Sequence, residues 1–199
     1  MHFVRAFCAA AAIGAVIQFH PAMAQEARVN VRGVITSFDG KVLAIKTRSG
    51  DVVVDVPEAA PVAATKAFSM ADVKSGMTVG VTTIMRADGG RVAIDVRPIS
   101  ATAPQGLSNW DLAPDATMTN AVVERTVAGT DGSELTLNYK TGTVKALVVP
   151  ETAMSQAVPG TRADLKPGET VFVFARKEAG ENLVAARVQV SKDGVKPTQ

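Results

Sequence analysis

From Val29 onward the apolar positions recur every second residue. Val29 to Phe38, Lys41 to Thr47 and Asp51 to Val56 each alternate, with Leu43 and Ile45 on one face of the second segment. In the third, Val52, Val54 and Val56 alternate with Asp51 and Asp55. A period of two sends successive side chains to opposite faces of a strand, so these segments predict β-structure with one buried face. Asp39-Gly40 is a hairpin turn between the first two, since glycine tolerates the positive φ of tight turns. Ser49-Gly50 turns the chain again, and Pro57, with no N–H for a ladder, ends the third strand. A polar, Ala-rich connection follows and closes in one helical turn. Ser69-x-x-Asp72 has the capping-box pattern there, and Gly76 stands where a helix end favours a left-handed residue. Met77 to Arg86 and Arg91 to Ile99, joined by Asp88-Gly89-Gly90, complete five predicted strands.

The pattern then repeats. An ungapped offset of 92 residues lays Asp39-Gly40 on Asp131-Gly132, Leu43 on Leu135, Gly50 on Gly142 and Val56 on Val148. The sharpest match sets residues 71–81 on 163–173, where seven of eleven positions are identical. Thr161-x-x-Asp164 and Gly168 repeat the capping pattern and the glycine. Turn residues that keep register this far mark an internal duplication.

Each copy reads strand-strand-strand, short helix, strand-strand. That is the element order of an OB-type barrel, with a half-open sandwich as the other closure. The expected fold is all-β: two tandem, small, five-stranded OB-like β-barrels, each with one short helical turn. The expected organisation is a signal peptide over 1–24, a first barrel over 25–99, and a joining segment over 100–118. A second barrel over 119–192 and a polar tail over 193–199 follow. Residues 31–96 and 123–188 are expected to superpose.

Val73-Lys74-Ser75-Gly76 through Val81, with its counterpart Leu165-Lys166-Pro167-Gly168 through Val173, precedes a final strand containing Val92-Ala93-Ile94 or Val184-Ala185-Ala186. In these segments the chain resembles a bacterial exported family known as domain of unknown function 5666. The likeness runs from Val31 to about Val190, outside the joining segment. It implies small OB-like barrels in cell-envelope proteins and carries no catalytic residues. The second copy departs from the pattern at Arg125, which stands opposite Gly33.

Composition narrows the chemistry. Arg5, the short apolar run Phe7 to Phe19 and Ala22-Met23-Ala24 form a secretory signal, with cleavage expected before Gln25. The run is too short to span a bilayer, which takes about 20 residues, so no membrane insertion is expected after cleavage. The expected location is periplasmic or secreted. The sole cysteine, Cys8, and both histidines, His2 and His20, leave with that segment. The mature chain then has no disulfide, no thiol nucleophile and no imidazole base. Zinc and most iron sites lose their usual ligands. No cofactor is expected. Of 21 Lys and Arg only Arg5 lies in the leader, and the rest nearly balance 19 Asp and Glu, which disfavours nucleic acid.

The surviving candidates are few. Asp51, Asp55 and Asp95 are the carboxylates considered for glycoside hydrolysis, Asp55 and Asp95 being able to meet if their strands pair. The simpler reading is the wet side of amphipathic strands. Ser75 beside Lys74 reads as a solvated turn, and the dispersed methionines as core filling. The joining segment holds the only tryptophan, in Leu107-Ser108-Asn109-Trp110-Asp111-Leu112. Trp110 and Leu112 are expected to pack against a barrel or between the two. The sharper alternative makes Trp110, Leu107, Asp111 and Leu112 an anchor for an envelope protein or glycan. The expected function is a non-catalytic envelope binding or structural module. A carboxylate-dependent polysaccharide hydrolase and a metal or small-ligand buffer are the alternatives.

Overall fold

The structure, a computed structural model, describes residues 28–198, so the signal-peptide expectation lies outside the described residues. It is all-β. The strands are β1 (Arg28–Phe38), β2 (Val42–Thr47), β3 (Gly50–Asp55), β4 (Val62–Ala67), β5 (Thr78–Met85) and β6 (Arg91–Pro98). They continue as β7 (Gly106–Asn109), β8 (Thr117–Gly129), β9 (Gly132–Tyr139), β10 (Gly142–Pro159), β11 (Thr170–Lys177) and β12 (Leu183–Val190). A 3-10 turn precedes β5 at Met70–Asp72 and another precedes β11 at Arg162–Asp164. Both are capped as expected. The Asp72 carboxylate accepts from the Ser69 N–H at 2.9 Å, and Asp164 from the Thr161 N–H at 2.8 Å.

Five strands close the first barrel in the order β1-β2-β3-β12-β11 and back to β1. The second closes as β8-β9-β10-β6-β5 and back to β8. Each is the OB-type order, with strands three and five parallel. The consecutive arrangement expected from the duplication is corrected here. Strands one to three of each repeat close with the last hairpin of the other, so 25–99 and 119–192 are not separate barrels. The hairpins are exchanged.

β4 carries the exchange. Ala63–Ala67 pair antiparallel with Ser155–Pro159 of β10, the corresponding stretch of the second repeat. Thr65 lies opposite Ala157, its own counterpart at the 92-residue offset. The two crossing connections therefore meet on a local two-fold axis, as equivalent strands do in a symmetric dimer. The sequence predicts a polar, Ala-rich connection here, and the structure makes it a strand. Its alanines and Thr65 fit a narrow crossing better than a valine face would.

Barrel interiors bury the alternating sets read from the sequence. Ile35, Leu43, Ile45 and Val54 meet Val171, Val173 and Val188 in the first; Val123, Leu135, Leu137 and Ala146 meet Val79, Val81 and Val96 in the second. Burying a side chain of this size contributes about 1.5–3 kcal/mol. Leu165 and Val73, one residue past the 3-10 turns, reach the two cores at equivalent places.

Register adds a correction within the duplication. Gly168 N–H donates to the Ile35 carbonyl and Gly76 N–H to the Val123 carbonyl, at 2.9 and 2.8 Å. Ile35 thus corresponds to Val123, an offset of 88, and the β8–β9 hairpin carries four extra residues. The counterpart of Gly33 is then Ala121, opposite Val79 as Gly33 is opposite Val171. Arg125 does not occupy that place.

Candidate functional site

The joining segment straps the barrels together. Gly106–Asn109 adds a strand, β7, to the outer edge of β8 at Thr117–Asn120. The Trp110 N–H donates to the Ala116 carbonyl at 2.8 Å, which turns the chain off the second barrel. Asp111 then lands on β1 of the first. Its carboxylate accepts from Arg32 Nη2 at 2.8 Å and Nη1 at 3.0 Å, and from Asn30 Nδ2 at 3.1 Å. These donors, the Arg32 guanidinium first, hold the Asp111 carboxyl below its ordinary range. A two-pronged guanidinium–carboxylate contact fixes direction as well as distance.

Trp110 is half-buried between the barrels. Its ring lies 6.5 Å from that of Phe174, and Phe174 meets Phe172 edge-on at 4.5 Å. Three guanidinium groups lie over these rings: Arg97 over Trp110 at 5.9 Å, Arg187 over Phe174 at 4.3 Å, and Arg32 over Phe172 at 4.7 Å. Such stacking is worth about 0.5–2 kcal/mol each, depending on desolvation. Trp110 and Phe174 line a cleft of about 670 Å³, with Arg97, Arg187, Asn120 and Gln156 around them. The Trp110 indole N–H is buried and meets no acceptor among the described residues.

Arg97 is anchored beneath the cleft by Asp95, in direct contact. Both lie on the outward face of β6 and are buried, with Trp110 and Met118 against Arg97. Asp95 also accepts from the Thr198 hydroxyl. Burial pushes its carboxyl up, against the opposing pull of Arg97 and the hydroxyls of Thr198 and Thr82. Burial likewise lowers the Arg97 guanidinium pKa, and Asp95 opposes that shift. Arg187 is lowered too, by desolvation first and then by the like charge of Arg97.

Trp110 packs between the barrels. Leu112 lies at the edge of β1, Asp111 binds that strand, and Leu107 is 40% exposed on β7. Asp55 and Asp95 do not meet: Asp55 sits on β3 beside Val42 and Val184 of the first barrel, while Asp95 belongs to the second and is closed to solvent. Ser75 donates to the Glu124 carbonyl on β8 and Lys74 to the Ala71 carbonyl within its own turn. Among the described residues no three His, Cys, Asp or Glu side chains gather as a metal site. Phe172, Phe174 and Arg187 were missed. Their signal was the run Thr170-Val171-Phe172-Val173-Phe174, apolar on both faces, which marks a strand covered on both sides.

No known protein family, curated protein or solved structure matches this chain.

Proposed function

We propose that the mature chain is a non-catalytic binding module acting outside the cytoplasm, with the inter-barrel cleft as its binding surface. The observation that carries this reading is the wall of that cleft. Trp110, Phe174, Arg97 and Arg187 come from both repeats and the strap, and all are held in place by contacts of their own. A concave surface of several hundred Å³ with apolar rings and a few directed polar groups suits a small or partly inserted ligand. Residues positioned this way bind with little ordering cost. The shortage of groups able to perform chemistry supports the same reading: Asp95 is out of reach of a substrate, and Gln25–Gln199 holds no Cys or His. The leader pattern and the resemblance to an exported envelope family support the location.

Trp110 is the only tryptophan, so its emission reports on the cleft directly. The mature protein is titrated with fractions of soluble envelope extract. The expected result is a saturable change in emission from one fraction, weakened by Phe174→Ala and by Arg187→Gln, with the bound material recovered intact by mass spectrometry. A flat response to every fraction, or recovery of cleaved material, overturns the reading.

A further inference from the structure

The two 3-10 turns are built alike, each opened by a capping box, so Arg162 of the second repeat corresponds to Met70 of the first. In the first barrel the Arg162 side chain reaches the end of β3. Its Nη1 donates to the Pro57 carbonyl at 3.0 Å, and its Nη2 to the Val56 carbonyl at 2.9 Å and the Gly40 carbonyl at 2.5 Å. The guanidinium also lies over the Phe38 ring, at 5.2 Å. Two adjacent main-chain carbonyls thus receive the two prongs of one planar cation, which fixes its direction as well as its distance.

The second barrel repeats the carbonyls but not the arginine. Met70, at the equivalent position, has no N–H to donate from its side chain. Val56 and Pro57 correspond to Val148 and Val149, and the pairing on either side holds that match. Asp55 lies opposite Val184 as Leu147 does opposite Val92, and Val62 opposite Val188 as Met154 does opposite Val96. The counterpart of Gly40 is remodelled, because the longer β8–β9 hairpin sets Gly132 opposite Gly129. Gly132, Val148, Val149 and Met70 line one pocket of about 440 Å³, together with Phe68 and Met154. No lysine or arginine is among its described lining residues, and the chain neighbours Asp131 and Glu151 are exposed carboxylates.

We infer that this pocket of the second barrel binds a guanidinium group from outside the chain, in the place that Arg162 takes within the first barrel. The adjacent carbonyls of Val148 and Val149 accept the fork, as those of Val56 and Pro57 do. Phe68 and the two methionine thioethers supply polarisable surface for the flat cation and its stem. A guanidinium is planar and more weakly hydrated than an ammonium, so it suits a pair of neighbouring carbonyls better than a lysine does. Asp131 and Glu151 favour a cation over an anion on approach. An arginine side chain of a partner protein and a small guanidinium compound share this group. The pocket has no lining residue in common with the Trp110 cleft, so either site can fail without the other.

The probes are methylguanidinium and an arginine blocked at both ends, titrated into the full mature protein by NMR. The expected result is saturable shifts at the amides of Gly132, Ser133, Val148 and Val149 and at the Met70 methyl. Blocked citrulline, which keeps the shape without the charge, should bind about tenfold more weakly, and blocked lysine less tightly than arginine. Met70→Arg supplies the group from within, as Arg162 does in the first barrel, and should weaken binding about tenfold or more. Arg162→Met should in turn open the first barrel to a second equivalent of guanidinium, with shifts at Gly40 and Val56. A blocked arginine that outbinds methylguanidinium assigns the site to a protein side chain, and equal affinities assign it to a small compound; both uphold the inference. Equal binding of citrulline and arginine overturns it, as does unchanged binding in a folded Met70→Arg protein or a response confined to the Trp110 cleft. Where Met70→Arg does not fold, the Arg162→Met protein decides, and failure to take up guanidinium in its first barrel overturns the inference.

Discussion

Asp95 and Arg97 show how a residue pair changes meaning with its surroundings. Two positions apart on β6, they point outward, where an isolated barrel would leave them wet. Here both are buried, Arg97 beneath Trp110 of the strap and Asp95 against Thr198, so each charge depends on the other. Removing one partner strands the second. Asp95→Asn should therefore cost about 3–5 kcal/mol, read as a fall in the urea midpoint. Adding Arg97→Met should restore part of the loss, because an apolar chain of similar length needs no counter-charge. A double variant less stable than the single one would mean that Arg97 is held by something other than Asp95. The repeats have diverged here: the counterparts of Asp95 and Arg97 are Arg187 and Gln189. Gln189 is fully buried and donates to Thr65 Oγ1 at 3.2 Å, beside the crossing strands.

At the scale of elements, β1 and β8 show what the hydrophobic period can and cannot fix. Both strands alternate, and the pattern identifies both. Their true correspondence is shifted by four residues from the 92-residue match, and a shift of four preserves the inside-outside parity of every position. The hydrogen bonds of Gly76 and Gly168, and the pairing of β1 with β11 and of β8 with β5, separate the two registers. One consequence concerns Gly33. A Cβ built there would sit 2.2 Å from the Lys46 carbonyl oxygen, where β2 crosses β1 next to a bulge. Gly33→Ala should cost about 1–3 kcal/mol by thermal or chemical unfolding. At Gly80 the nearest atom to a new Cβ is the Asn120 side-chain oxygen at 3.2 Å, a group that can move. Gly80→Ala should cost under about 1 kcal/mol. Equal costs at both sites would contradict this crossing.

For the whole molecule the governing fact is the exchange of hairpins. Each barrel needs strands from both repeats, and the β4–β10 ribbon and the Trp110 strap cross the boundary as well. A single cut in the exposed stretch Ser100–Thr102, between β6 and β7, should leave the two pieces together on size exclusion under native conditions. They should separate only in denaturant. Release of two folded, monomeric pieces from the nicked protein would show that each repeat closes on itself. The interleaving also explains why the cleft is built as it is, since its walls combine residues from both halves of the chain.

Much of this protein is local and was legible in the residues. Alternation, Asp-Gly turns and the Ser69–Asp72 and Thr161–Asp164 caps determine the barrel strands and their turns, because each depends on neighbours a few positions away. The all-β class and the duplication follow from them. Which hairpin closes which barrel could not be read, because both repeats present the same valine and leucine faces and either hairpin satisfies either barrel. The tertiary structure decided it through β4, whose pairing with Ser155–Pro159 carries each chain segment across to the other barrel. It also decided which outward-facing side chains are covered: the burial of Asp95 and Phe172 and the half-burial of Phe174 come from surfaces more than a dozen residues away, which strand periodicity does not record.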